Sequence, residues 1–181
     1  MAIKVENLST INVKTDLDKL VNQVFDTVPK EHTRGISKVV FVDEIKDPRL
    51  LSVTTQPQPV LYHPKTPGSQ AFIEISLSFL LPKKENFIKR LAARANLKAN
   101  IAGALLASIG QHYHLNFSHG IKKTQYESRV RSYVEKYFVE WREQTAGFRA
   151  KLFKPLRPYF EKLDKWMKKK MLEQQKPKKG K

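Results

Sequence analysis

Residues 101–113 form one almost uncharged stretch of the chain and read IAGALLASIGQHY. The stretch is rich in Ala and contains no Lys, Arg, Asp or Glu, which is typical of a helix that runs through the interior of a domain. We therefore predict a buried central helix here. The other elements of the fold are placed around it.

The residues before this helix predict one helix and a small sheet. Apolar residues recur at steps of three and four between Leu17 and Val28, which indicates an amphipathic helix. A β-branched run predicts a strand at about 37–43, and a brief strand at 60–62 lies between prolines. Residues 72–79 alternate between apolar and polar side chains, as expected of a strand with one buried face. These patterns predict three strands in an antiparallel or mixed sheet.

Helical patterns also flank the central helix on both sides. Pro82 precedes an apolar stripe that begins at Phe87, and a second stripe with three-four spacing runs from Tyr126 to near Gly147. The predicted class is α+β, with the small sheet packed on long helices and a basic helical extension at the C-terminus. We divide the chain into an N-terminal extension (1–14), a core domain (15–148) and a basic tail (149–181).

Charge and composition indicate the kind of partner. Among 181 residues, 34 Lys and Arg stand against 17 Asp and Glu, for a formal net charge of +17, so we expect an anionic partner. The absence of Cys excludes disulfides, cysteine nucleophiles and thiolate metal centres. No apolar run reaches about 18 residues and the first residues lack a secretory signal, so we expect a cytoplasmic protein.

The central helix resembles the zinc helix of small bacterial zincin-type proteins, which are similar to minimal metallopeptidases and read His-Glu-Ile-Gly-His-His. In that motif two His one turn apart bind zinc, and the Glu is the general base. Here Ala107, Ser108 and Gln111 replace the first His, the Glu and the second His, whereas Ile109-Gly110 and His112 keep the pattern. A weaker resemblance extends over residues 15–140.

The resemblance implies a zincin-like fold that has lost its chemistry. Glu127 resembles the acidic third ligand that such proteins take from the next helix, but one Glu cannot hold zinc. We therefore predict no metal, no cofactor and no catalytic activity. The remaining candidates for a displaced metal are His112, His114 and His119, and the first two point about 200° apart on a helix. A simple buried helix, with Ser108 and Gln111 satisfied by each other or the backbone, predicts the same fold.

Basic residues predict binding to structured RNA or a ribonucleoprotein such as the ribosome. The tail contains 13 Lys and Arg and three acidic residues, so it supplies +10 of the net charge. Cations neutralise phosphates, and Trp166 could stack on an exposed base. The predicted binding residues of the tail are Lys151, Lys154, Arg157, Lys162, Lys165, Trp166, Lys168, Lys169, Lys170, Lys176, Lys178 and Lys179. A secondary surface comprises Lys83, Lys84, Lys89, Arg90, Arg94 and Lys98.

Three other interpretations stay open at this stage. The basic tail could attach to an anionic membrane or bind an acidic protein, although prolines at 155 and 158 interrupt its apolar stripe. It could also be only a solvated face that covers the core. The third interpretation is a hydrolase with a displaced metal site. We rank RNA binding first because two basic patches favour a large polyanion.

Overall fold

The computed structural model describes residues 3–46, 58–82, 86–117 and 123–145, and over these residues the chain is an α+β protein. Residues 1–142 group into one compact unit and residues 143–181 into another. The strands are β1 (Lys4–Asn7), β2 (Ile36–Val42), β3 (Val60–His63) and β4 (Ala71–Ser76). The helices are α1 (Leu17–Thr27), α2 (Lys30–Thr33), α3 (Leu77–Leu80), α4 (Phe87–Phe117) and α5 (Lys123–Thr145).

The four strands form one mixed sheet in the order β1-β2-β4-β3. The β1–β2 and β2–β4 pairs are parallel, and β3 pairs with β4 antiparallel. The mixed sheet was predicted, but the count of three strands was wrong because β1 lies within the stretch that we read as an extension. This strand has only four residues, Lys-Val-Glu-Asn, which is too short for an alternating pattern to be recognised. Residues 4–7 are recognised as a strand only because they pair with β2.

The helices cover one face of the sheet. Val39 and Phe41 of β2 and Ile73 and Ile75 of β4 are fully buried and belong to the same core cluster as α1 and α4. On the opposite face the Lys38 ammonium lies 2.7 Å from the Glu6 carboxylate. Alternation of the two faces along β2 and β4 therefore places the core between one sheet and one helical layer.

The central helix α4 supplies the largest block of this core. Its side chains Ile101, Leu105, Leu106 and Ile109 are completely buried, so the predicted buried helix is confirmed. The helix is one continuous element of 31 residues that begins at Phe87. The first turns of α4 carry the apolar stripe that the sequence predicted. Within the described residues no other element covers this stripe, since Phe87 is 75% and Ile88 is 78% exposed.

Helix α5 packs on α4 through aromatic side chains. Tyr133, Tyr137 and Trp141 recur every four residues and are each less than a tenth exposed. Gly110 of α4 permits the closest approach, because a Cβ at this position would lie 3.0 Å from Cδ1 of Tyr133. The small residue after Ile109 is thus needed for the contact between the two helices.

Two glycines of α4 test this packing. We expect Gly103→Ala to stabilise the protein by about 0.5–1 kcal/mol, because no atom lies within 4 Å of the new Cβ and Ala favours a helix. Gly110→Ala should instead destabilise it by about 1–2 kcal/mol, because the Tyr133 ring is buried and cannot move aside without cost. Urea denaturation of both variants measures the difference, and equal shifts of the two midpoints would contradict the packing described here.

Candidate functional site

Three of the positions that the sequence analysis compared with a zinc motif line one cavity between α4 and α5. Ala107 and Gln111 lie one turn apart on α4 and line a cavity of about 470 Å³ together with Glu127 of α5. The other lining residues are Tyr126, Val130, Arg131, Val134 and Glu135. The structure therefore brings together three of the four positions that the sequence singled out.

Ser108, the fourth position, does not line this cavity. Its side chain is only 1% exposed, and its hydroxyl has no hydrogen-bond partner among the described residues. The expectation that Ser108 is satisfied by Gln111 or by the backbone is therefore wrong for the hydroxyl. A buried hydroxyl without a partner costs free energy, which indicates that burial of α4 is strong enough to tolerate it.

The cavity offers little for metal or acid–base chemistry. A methyl group and an amide stand at Ala107 and Gln111, and Arg131 Nε on the opposite wall pairs with Glu135 at 3.1 Å. The described part of the chain contains no group of three His, Asp or Glu side chains arranged to hold a metal ion. Two carboxylates, Glu127 and Glu135, line the cavity with Ala107 and Gln111, and Glu135 is the one that pairs with Arg131.

His112, which follows the replaced motif, is a structural histidine. Its ring is 3% exposed and its Nε2 lies 3.0 Å from the Arg34 carbonyl oxygen. Because a carbonyl only accepts hydrogen bonds, Nε2 carries the proton and Nδ1 is the acceptor. Nδ1 then accepts from the Tyr62 hydroxyl at 2.7 Å and from Asn116 Nδ2 at 3.0 Å. One imidazole thus joins α4 to the loop before β2 and to β3.

Two further histidines, His32 and His63, lie in regular elements and make side-chain contacts there. His32 lies in α2, and its Nδ1 is 3.0 Å from the Tyr133 hydroxyl. His63 lies in β3, where Nε2 is 2.9 Å from Glu74 and the ring stacks on Phe72. His119 lies outside the described residues.

A second cavity, of about 480 Å³, contains aromatic rings and two cations. Sequence analysis missed it because its walls come from α2, the end of α4 and α5, which are far apart in the chain. The tyrosine stripe of α5 was the one available signal, and we read it only as core packing. The cavity is lined by His32, Tyr113, His114, Ser128, Arg129, Ser132, Tyr133, Lys136 and Tyr137.

Burial keeps the two histidines of this cavity neutral. It is the main cause that lowers the pKa of His32, with Glu31 opposing and Lys136 and His114 adding to the effect. Burial likewise lowers the pKa of His114, and the Arg129 guanidinium contributes in the same direction. Both imidazoles are therefore uncharged rings at neutral pH.

The predicted secondary basic surface is partly described. Lys89, Arg90, Arg94 and Lys98 all lie on α4 and are exposed. No acidic residue occurs between positions 86 and 117, so nothing on this helix offsets their charge. The remaining predicted contacts lie outside the described residues: Lys83, Lys84, Lys151, Lys154, Arg157, Lys162, Lys165, Trp166, Lys168, Lys169, Lys170, Lys176, Lys178 and Lys179.

Within the described ranges, no helix combines the length and the apolar character that a membrane crossing requires.

Introducing two histidines tests the geometry of the first cavity. We expect the double variant Ala107→His/Gln111→His to take up stoichiometric zinc, because the new imidazoles would lie one turn apart beside Glu127. Zinc analysis after dialysis measures the uptake, with the wild-type chain as the blank and the same double variant carrying Glu127→Gln as the matched control. A folded double variant that takes up no zinc would contradict the convergence of the three positions.

His112 predicts a dependence of stability on pH. Burial lowers its pKa, while the bond to the Arg34 backbone opposes the shift. Its contribution to stability is therefore fully present above the unfolded pKa of about 6.5 and is lost as the pH falls toward the folded value.

The variant His112→Gln tests this dependence by urea denaturation between pH 8 and pH 5. It should cost about 1–3 kcal/mol at pH 8, because Tyr62 and Arg34 lose a buried partner. Its stability should also fall less steeply with acid than that of the wild type. Part of the slope will remain because His32 and His114 titrate in the same direction. A steeper or unchanged slope would argue against a neutral His112.

Comparison with known proteins adds no relative to these observations. No protein-family model matches the chain, and searches of curated proteins and of solved structures also find no match. The resemblance to zincin-type proteins therefore stays a prediction that rests on residues 105–114. Any function has to be argued from the two cavities and the charged surface.

Proposed function

We propose that this chain is a non-catalytic protein with a metallopeptidase-like scaffold that binds structured RNA through its basic surfaces. The observation that carries the binding proposal is the exposed beginning of α4. This surface presents Lys89, Arg90, Arg94 and Lys98 on a helix without acidic residues.

The first cavity supports the non-catalytic half of the proposal. A zinc hydrolase needs at least three protein ligands and a base that reaches the bound water. Ala107 and Gln111 cannot replace two histidines, and the Ser108 side chain is buried away from the cavity that they line. In this proposal the scaffold keeps a cavity at the position of the zinc site but lacks the metal ligands and the general base.

Electrostatics supports an anionic polymer as the partner. The cations of α4 extend over about three turns of one helix, so they can meet several phosphates of one polymer. Helix α5 differs, because its basic and acidic residues are almost equal in number and some pair with each other, as Arg131 does with Glu135. The positive field on the described residues is therefore concentrated on α4. The tail adds ten further net positive charges in the sequence.

One observation favours a second candidate, an anionic membrane surface. Phe87, Ile88 and Leu91 are between 59% and 78% exposed and lie beside the same cations. A helix that carries apolar and basic groups together can lie in the headgroup region of a bilayer. RNA stays the preferred partner because the basic residues outnumber the large apolar ones and continue into the tail.

Charge removal on α4 tests RNA binding. The full chain with Arg90→Gln, Arg94→Gln and Lys98→Gln should bind a structured RNA at least 10-fold more weakly than wild type. The log–log salt slope should become about 2–3 shallower, since up to three phosphate contacts are lost. The matched control removes three exposed lysines outside α4, with Lys14→Gln before α1, Lys19→Gln in α1 and Lys30→Gln in α2. Equal losses in the two triple variants would show that net charge alone, and not this surface, determines binding.

A second variant separates RNA from membrane. Phe87→Ser, Ile88→Ser and Leu91→Ser should leave RNA affinity within about 3-fold of wild type, because the phosphate contacts are kept. The same variant should lose binding to phosphatidylserine vesicles if the membrane candidate is right, because its apolar contact is removed. Tight vesicle binding by wild type together with absent RNA binding would overturn the proposed function.

A further inference from the structure

We propose that the second cavity binds a nucleobase together with its phosphate, as presented by an unpaired nucleotide of the bound RNA. This inference rests on the RNA binding proposed above and gives it a specific preference for unpaired nucleotides. The cavity lies among α2, the C-terminal end of α4 and α5, and it is separate from the cavity that holds the replaced zinc positions.

Aromatic rings form the floor of this cavity. The ring centroids of His32 and Tyr113 are 4.0 Å apart, and those of Tyr133 and Tyr137 are 4.6 Å apart. Tyr133 also bonds His32 through its hydroxyl, so the rings are held in place before any ligand arrives. Tyr133 and Tyr137 are each less than a tenth exposed and support the other rings from below, whereas His32 and Tyr113 are partly exposed. A base of any identity can stack on these two rings, because every base has a π-face.

Cations and hydroxyl groups lie beside the rings. Arg129 and Lys136 line the cavity about two helical turns apart on α5, and Lys136 Nζ lies 4.8 Å from the centre of the Tyr137 ring. Ser128 and Ser132 add hydroxyl groups to the same wall. Guanidinium and ammonium groups next to aromatic faces match a ligand that is flat and apolar at one end and anionic at the other.

The two cavities differ in the sign of their lining. Glu127 and Glu135 both line the first cavity and would repel a phosphate, whereas no carboxylate lines the second. The lowered pKa values leave the two histidines of the second cavity uncharged at pH 7, so each offers a neutral aromatic ring for stacking. A volume of about 480 Å³ lies within the range of about 300–1,000 Å³ that is usual for small-ligand sites. The second cavity is therefore the one that suits a nucleotide.

The direct test uses the full chain and three small probes. Adenosine 5′-monophosphate should shift the NMR signals of the Tyr and His rings of the cavity in a saturable way. Adenosine and inorganic phosphate should each bind at least 10-fold more weakly, because each offers only half of the matched chemistry. Equal affinity for phosphate and for the nucleotide would overturn the stacking half of the proposal.

Variants on α5 assign the site. Arg129→Gln/Lys136→Gln should weaken binding of adenosine 5′-monophosphate at least 10-fold. The matched control, Arg131→Gln/Arg142→Gln, removes the same charge from the same helix outside this cavity and should stay within 3-fold of wild type. Tyr113→Leu should also weaken binding, because it removes one ring while keeping an apolar side chain. Equal losses in the two charge variants would overturn the proposal.

RNA probes separate the two sources of a nucleotide. Arg129→Gln/Lys136→Gln should weaken binding of single-stranded oligoadenylate more than binding of duplex RNA, because a duplex does not release its bases. Nucleotide binding without this effect on single strands would assign the cavity to a free nucleotide and overturn its role in RNA recognition. If wild type binds the nucleotide but no RNA, the proposed function fails while the nucleotide site stands.

Discussion

Burial of the middle of α4 is the interaction on which the rest of the structure depends. The five apolar side chains at 101, 102, 105, 106 and 109 are fully buried against the sheet and the neighbouring helices. Each large one contributes about 1.5–3 kcal/mol when removed from water, and together they fix the rotation of the helix. That rotation directs His112 toward Tyr62 and Arg34 and places Ala107 and Gln111 at the cavity beside α5. Core packing therefore positions every candidate site.

Patterns in the sequence predict the parts of the fold that depend on local repetition. The uncharged stretch of α4, the β-branched run of β2, the alternation along β4 and the three-four spacing of α1 can all be read along the chain. The strand β1 was missed because its four residues become a strand only through pairing with β2. The exposure of the stripe at Phe87 was not predicted, because an amphipathic period shows which residues share a face, but it does not show whether another element covers that face.

The candidate sites also divide into features that local sequence patterns predict and features that depend on contacts between distant parts of the chain. Ala107, Gln111 and Glu127 were grouped at the level of sequence by the resemblance to a zinc helix, and the three residues line one cavity. The aromatic cavity could not be predicted, because the hydrogen bond between Tyr133 and His32 joins residues that are 101 positions apart in the chain. The role of His112 is also nonlocal, since its partners lie 50 and 78 positions away in the chain. Contacts of this kind have no signature in residue order.

The central claim is the proposal that the basic surfaces of this chain bind RNA, and a salt series on the full chain tests it most directly. Affinity would be measured for structured RNA, duplex DNA and phosphatidylserine vesicles from low to physiological salt. We expect RNA to bind most tightly, with a log–log slope of about −5 or steeper, as about six neutralised phosphates would give. Tighter binding to vesicles, or an RNA affinity that does not change with salt, would contradict it.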